Sequence, residues 1–139
     1  MAALNTGTDS SAKDQAVKVG TPIVYNMPAP ASYLGNSTYT ALDIAGGIIV
    51  HNTNAGAATG TLPTPTALMA LIESPRIGDC LECLIVNGGS TGSITLTAVT
   101  GVTFDTNQVA GSQVIATLTS KYVICRFSNV TTPAYVVYS

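Results

Sequence analysis

Short runs in which apolar and polar residues alternate fill the chain from about residue 79 onward. Residues 93–99, for example, place Ile94 and Leu96 on one side and threonines on the other, directly after the Gly-rich turn at 87–92. A period of two is typical of strands that bury one face. Repetition at intervals of about 8–12 residues predicts a mainly β fold, an antiparallel β-sandwich or a small β-barrel. The predicted strands cover residues 46–50, 79–86, 93–99, 102–105, 112–119, 122–127 and 134–138.

One short helix interrupts these strands, at residues 64–72. Thr64 can accept a backbone hydrogen bond as N-cap, and Pro65 suits the first helical position, where no N–H is needed. The pair Ser74-Pro75 predicts the end of the helix. We expect its apolar face, which includes Leu68, to cover part of the sheet.

The first 38 residues differ from the rest because they show no sustained period of two or 3.6. Only residues 21–25 resemble a strand, and four of the twelve charged residues fall between Asp9 and Lys18. The sequence therefore predicts two parts: an extended N-terminal arm over residues 1–38 and a β-domain over residues 39–139. Such an arm becomes ordered on a partner.

Charge is scarce and excludes several classes of partner. Lys, Arg, Asp and Glu make up 9% of the chain, against about 25% in a typical domain, and the net charge is −2. Nucleic acid needs a basic face, and anionic lipid attracts basic segments, so neither is an expected partner. Residues 44–72 carry no charge and are long enough to span a bilayer, but Asn52, Asn54 and Pro63 argue against a spanning helix.

Residues 1–6 lack the features of a signal peptide, so we expect synthesis in the cytoplasm with reduced thiols. Cys80 and Cys83 have the spacing of zinc ligands, which Cys125 and His51 could complete. A strand over residues 79–86, however, directs side chains three apart to opposite faces, about 10 Å apart along the strand. We therefore expect no metal and no cofactor, with the thiols packed as small apolar groups.

No arrangement of residues indicates catalysis. His51 is the only histidine, Asp43 and Asp105 are isolated in sequence, and no Gly-x-Ser-x-Gly nucleophile motif occurs. A paired-carboxylate mechanism needs two converging acids, which the spacing does not provide. The sequence thus predicts a protein that is not an enzyme.

Tyrosine is the candidate contact residue. It is enriched at protein interfaces, although it can also stack on sugars, and we favour a protein interface. The six candidate interface residues are Tyr25, Tyr33 and Tyr39 in or near the arm, and Tyr122, Tyr135 and Tyr138 in the last strands.

Seven short segments form a recognisable series: 45–51 (AGGIIVH), 59–68 (TGTLPTPTAL), 77–79 (IGD), 85–88 (IVNG), 94–96 (ITL), 101–103 (GVT) and 129–131 (NVT). The series is similar to a pattern in virion proteins of tailed bacteriophages. It resembles small head-decoration (cement) proteins and related fibre or spike modules. The resemblance covers about residues 45–130 and brings no catalytic residues.

The resemblance implies a non-enzymatic structural protein on the capsid exterior of a virion, made in the host cytoplasm. Its expected partners are the major capsid protein, contacted through the arm, and further copies of itself, as a trimer at local three-fold positions. The alternative is a host-attachment module of a fibre or spike that binds a surface glycan. Sparse charge and Thr-rich strand faces favour the capsid decoration protein over the attachment module, because both features suit close packing against another protein.

Overall fold

The computed structural model describes residues 26–107 and 113–139, and within these two stretches the chain is mainly β. The strands are β1 (Ala31–Leu34), β2 (Ser37–Thr38), β3 (Ile48–Asn52), β4 (Ala58–Thr61), β5 (Cys80–Asn87), β6 (Ile94–Thr97), β7 (Val102–Phe104), β8 (Val114–Ile115), β9 (Ser120–Asn129) and β10 (Ala134–Tyr138). The helices are α1 (Ala41–Gly46) and α2 (Pro65–Met69).

The first six strands alternate between two mixed sheets. Sheet A has the order β1-β3-β5-β9-β10-β7, and sheet B has the order β2-β4-β6-β8. Each of β1, β3 and β5 in sheet A is followed by one strand of sheet B, and successive pairs stack in parallel. We call these pairs rung 1 (β1 and β2), rung 2 (β3 and β4) and rung 3 (β5 and β6). Strand β9 then runs antiparallel to β5 and β10, and β8 antiparallel to β6.

The antiparallel arrangement predicted from the sequence is therefore wrong, although the mainly β character is confirmed. Five of the eight pairings among the described strands are parallel. The physical reason is the path of the chain: after β1 and again after β3 it passes through a strand of sheet B, and it then re-enters sheet A in the direction of the previous sheet-A strand. Alternation along a strand reveals which face is buried, but it carries no information about the direction of the neighbouring strand.

A single buried cluster draws on both sheets and both helices. Ile44 of α1 and Leu68 of α2 are fully buried in it. Near the C-terminus, the rings of Phe127 and Tyr135 meet edge to face with centroids 6.5 Å apart. The hydroxyl of Tyr135 donates to the carbonyl of Pro63 at 2.7 Å, so the buried phenol is satisfied.

The predicted helix is present but shorter than expected. Thr64 caps it through a hydrogen bond from the N–H of Ala67, and Pro65 is the first helical residue. The helix ends at Met69, well before the left-handed Ser74. Helix α1 was not predicted, because its capping box and its left-handed Gly47 enclose only six residues.

Part of the predicted arm belongs to the folded body. Strands β1 and β2 fall within residues 1–38 and pair with β3 and β4, while residues 26–30 lead directly into β1. The boundary at residue 38 is therefore placed too late. The strand-like segment 21–25, including Tyr25, lies outside the described residues.

The strand predicted over residues 112–119 is reduced to Val114–Ile115. Leu118 adopts a left-handed φ of 55° and is 70% exposed. The Thr119 hydroxyl donates to the carbonyl of Ala116 at 2.7 Å. Threonine thus stabilises a turn where the alternating pattern indicated a ladder.

Candidate interaction surfaces

Folding separates the tyrosine candidates into buried and accessible groups. Tyr39 is 1% exposed and Tyr135 is 0% exposed, so both side chains belong to the core. Tyr33 is half-buried, Tyr122 is 52% exposed and Tyr138 is half-buried on an outward-facing position of β10. Among the tyrosines of residues 26–107 and 113–139, only Tyr122 and Tyr138 lie on an outer sheet face, and Tyr39 and Tyr135 are not exposed for contact with a partner.

A buried hydrogen-bonded chain connects rungs 1 and 2. The Tyr39 hydroxyl lies 2.6 Å from Nδ1 of His51, and Nε2 of His51 lies 2.5 Å from the carbonyl oxygen of Gly35. Because a carbonyl only accepts, Nε2 carries the proton and Nδ1 accepts from the tyrosine hydroxyl. Burial raises the pKa of Tyr39, which keeps it a donor. With both ring nitrogens occupied and no exposed surface, His51 holds the rungs together.

A second polar group at the same end of the fold centres on Asp43. Its carboxylate accepts hydrogen bonds from the Tyr33 hydroxyl and from the backbone N–H and the hydroxyl of Thr40, the latter two at 2.7 Å. Burial pushes the pKa of Asp43 upward, but these hydrogen bonds outweigh burial and hold it below its ordinary value. Burial and the bond to Asp43 raise the pKa of Tyr33.

Acidification should weaken the fold through Asp43. A carboxyl whose pKa is lower in the folded than in the unfolded chain contributes stability above about pH 4, and this is lost as the pH falls through the folded pKa. Thermal unfolding between pH 7 and pH 2 should show Asp43→Asn less stable at pH 7 by about 1 kcal/mol, as for a lost helix cap, with the difference shrinking in acid. Asp105→Asn serves as the control outside this network. A pH-independent difference for Asp43→Asn would contradict the assignment.

The cysteines occupy both faces of β5 and the adjacent strand. Cys80 is exposed, whereas Cys83 and Cys125 are buried, and burial raises the pKa of each buried thiol to about 12. Cys80 and Cys83 therefore point away from each other, as the strand pattern predicts. Across residues 26–107 and 113–139, no three His, Cys, Asp or Glu side chains cluster as metal ligands.

Threonines form registered rows on the outer face of sheet B. Thr38, Thr61 and Thr97 lie side by side on three parallel strands, and Thr59 pairs with Thr95. The hydroxyl oxygens of Thr61 and Thr97 are 3.0 Å apart. The sequence pattern of β6 predicted its outward threonines. The threonines of β4 were missed because they flank a glycine rather than a large apolar residue.

The outer face of sheet A is apolar, in contrast to sheet B. Ile48, Leu84 and Tyr122 are in register across β3, β5 and β9. Two further registered pairs extend the patch on both sides, Val50 with Val86 and Ile124 with Tyr138. The Tyr122 hydroxyl donates to Glu82 at 2.5 Å, a bond that raises the pKa of Tyr122.

We call residues 26–34 together with α1 the rung-1 end. Within the described residues, β1 pairs with a strand on one side only, as does β2. An apolar groove of about 430 Å³ lies beside β1, lined by residues that include Pro28, Ala31, Leu42 and Ile48. No sequence pattern predicted this groove, because β1 is a four-residue strand directly after Pro30.

Comparisons with protein-family models, with curated proteins and with solved structures return no match. Among the described residues, neither helix has the length and apolar character that crossing a membrane requires.

Proposed function

We propose that the protein is a non-enzymatic virion structural protein that decorates and stabilises the capsid exterior of a tailed bacteriophage. In this proposal it is made in the host cytoplasm, its two sheets form a sandwich, and it associates with itself as a trimer and with the major capsid protein. The observation that carries the proposal is the rung-1 end, which combines an edge of β1 that is unpaired within residues 26–107 and 113–139, an apolar groove and a lack of free charge.

The rung-1 end is suited to being covered by another protein. Between residues 26 and 72 the only charged side chain is Asp43, whose carboxylate is hydrogen-bonded within the fold. Covering this surface therefore removes no unpaired charge from water, which would be costly. Leu34 and Leu42 are 64% and 70% exposed there and gain free energy when buried.

The open edge of β1 adds directional contacts to this apolar surface. An unpaired strand edge offers backbone N–H and C=O groups to a strand of a partner, and pockets beside the edge select its side chains. A capsid-protein segment that added to β1 would also contact the groove beside it. The proposal thus assigns backbone pairing and groove contacts to the same partner chain.

The first 25 residues join the body at Asn26, at the same end, and extend the proposed contact. Ordering backbone on a partner costs about 1–2 kcal/mol per residue, so an arm needs many small contacts distributed over the capsid surface. Because the arm joins the body at the rung-1 end, we expect its first contacts with the capsid to lie next to those of the rung-1 end.

Co-sedimentation with empty heads of the phage that encodes the chain tests the proposal. Leu42→Lys places a charge in the contact and should weaken head binding at least tenfold, since burying an unpaired ammonium is costly. Leu118→Lys is the matched control, because Leu118 is equally exposed at 70% and lies outside the rung-1 end.

Deletion of residues 2–20 should abolish head binding and leave the unfolding transition in place. Full-strength binding by the deletion variant would contradict the role of the arm. Full-strength binding by Leu42→Lys would contradict the assignment of the rung-1 end, and no binding by the unaltered chain would refute the capsid role.

The second candidate, a glycan-binding attachment module, is favoured by one observation. Tyr122 is 52% exposed and its hydroxyl is fixed by Glu82, which sets an aromatic ring beside a carboxylate. A glycan array separates the two functions. A reproducible glycan ligand whose binding is lost in Tyr122→Ala would favour attachment, whereas binding to heads without glycan binding would favour decoration.

A further inference from the structure

We infer that the outer face of sheet A is the surface through which copies of this chain associate, with these faces turned towards a common symmetry axis. The inference rests on the proposed function for its setting, an oligomer on a capsid. This surface adjoins the rung-1 end at Ile48, which also lines the groove, but Tyr122 on β9 lies two strands away from Ile48. Substitution of Tyr122 therefore tests self-association separately from the groove.

Apolar side chains lie on both faces of sheet A. Ile49, Ile85 and Val123 fill the inner face, which packs on the core. The outer face carries Ile48, Leu84, Ile124 and their neighbours where solvent-exposed sheets carry charged and polar side chains. The part of sheet A formed by β1, β3 and β5 is parallel, and sheets that are parallel throughout are usually covered on both sides. We therefore expect another protein surface to cover the outer face.

The size of the patch fits the centre of an oligomer interface. Strands lie about 4.8 Å apart and outward residues about 6.7 Å apart along a strand, so the apolar positions on β3, β5, β9 and β10 span roughly 300 Å². A standard interface covers about 800 Å² per partner, with an apolar centre and a polar rim. The patch supplies such a centre, and Tyr138 and the outward charges of β5 and β9 supply part of a rim.

The charges on this face argue for a second copy as the partner. Its charged side chains are Glu82 on β5 and Arg126 on β9, one of each sign and both exposed. A partner surface with many charges of one sign would be repelled by either Glu82 or Arg126. A second copy presents the same two charges, and rotation about a symmetry axis brings Glu82 of one copy towards Arg126 of the next.

Sedimentation velocity of the purified full-length chain over a wide concentration range tests the inference. The unaltered protein should be oligomeric, and Tyr122→Lys should weaken self-association roughly tenfold or more, as expected for a central interface residue. Tyr122 is 52% exposed in the single chain, so the substitution leaves the core intact. Val114→Lys is the matched control, since Val114 is 38% exposed on sheet B and should leave association unchanged.

A charge exchange tests the pairing between copies independently. Glu82→Lys and Arg126→Glu should each weaken association, and the double variant should recover it. Thermal unfolding of every variant establishes that the chain is folded.

Two results would overturn the inference: unaltered protein that remains monomeric, or Tyr122→Lys that associates like the unaltered chain. If the protein is monomeric, iodination of Tyr122 shows whether this face is covered within the chain. Shielding of Tyr122 from iodination would assign the cover to residues 1–25. A capsid-protein segment as the cover would appear as a monomer that loses head binding with Tyr122→Lys. An oligomer that does not bind heads would contradict the proposed function alone.

Discussion

Replacing His51 with leucine should lower the free energy of unfolding by about 2 kcal/mol, because the change leaves the buried Tyr39 hydroxyl without its acceptor, at about 1–3 kcal/mol, and removes one hydrogen bond from the Gly35 carbonyl. The Tyr39 hydroxyl donates to Nδ1, and the half-buried carbonyl of Gly35 accepts from Nε2 and also from the Ser37 hydroxyl at 3.2 Å, so the carbonyl keeps one partner after the substitution. Leucine has a similar size, so packing is largely kept and the loss reports the hydrogen bonds. Urea unfolding followed by circular dichroism measures the difference.

A double-mutant cycle separates the hydrogen bonds from packing. Tyr39→Phe alone removes the donor and should cost less than His51→Leu, because it leaves the bond to Gly35 in place. In the double variant the two losses should be less than additive, since one hydrogen bond is removed twice. Val50→Leu, on the opposite face of β3, is the control for substitution in this strand. Strict additivity would show that Tyr39 and His51 are not coupled.

Replacing Gly60 with alanine should lower the free energy of unfolding by about 3 kcal/mol, at the upper end of the usual cost of overpacking a core. A Cβ at Gly60 would lie 2.6 Å from Cζ and 2.9 Å from Cε2 of Tyr39. Tyr39 is 1% exposed and cannot rotate away without breaking its bond to His51. Thermal unfolding monitored by calorimetry measures the loss.

Gly56→Ala is the matched control, because a Cβ at Gly56 meets no atom within 4 Å. That substitution should be neutral or slightly stabilising, since alanine restricts the unfolded chain. Adding Tyr39→Leu to Gly60→Ala should restore part of the loss by removing the ring that the Cβ meets. If Gly60→Ala unfolds at the temperature of the unaltered chain, the close approach of the ring does not constrain this position.

The sequence predicts those parts of the fold whose signals are local. Helix α2 begins where Thr64 and Pro65 predict, and β6 and β10 lie within their predicted segments. The stacking of rungs was missed because a parallel pairing joins residues separated by a whole excursion through sheet B. Helix α1 and strand β1 were missed because each is too short to establish a period.

Only part of the candidate surface could be predicted from the sequence. Residue type alone made the six tyrosines equivalent, but neighbouring positions in a strand face opposite ways. On β10 this parity buries Tyr135 and turns Tyr138 outward. Parity applied to each predicted strand would have separated these two. The burial of Tyr39 depends instead on its contact with His51 from another rung, which no local pattern reports.

The strand order of sheet A also determines when the body can be completed during synthesis. Rungs 1 to 3 can stack as they leave the ribosome, because each pairs with the one just before it. The second edge of β5 can pair only after β9 is made, about thirty residues later, and β7 can pair with β10 only after a similar interval. Loop closure over such separations slows folding. Until residues 120–138 are translated, β5 lacks its partner on one side and β7 lacks its only partner among the described strands, so both edges are open to neighbouring nascent chains.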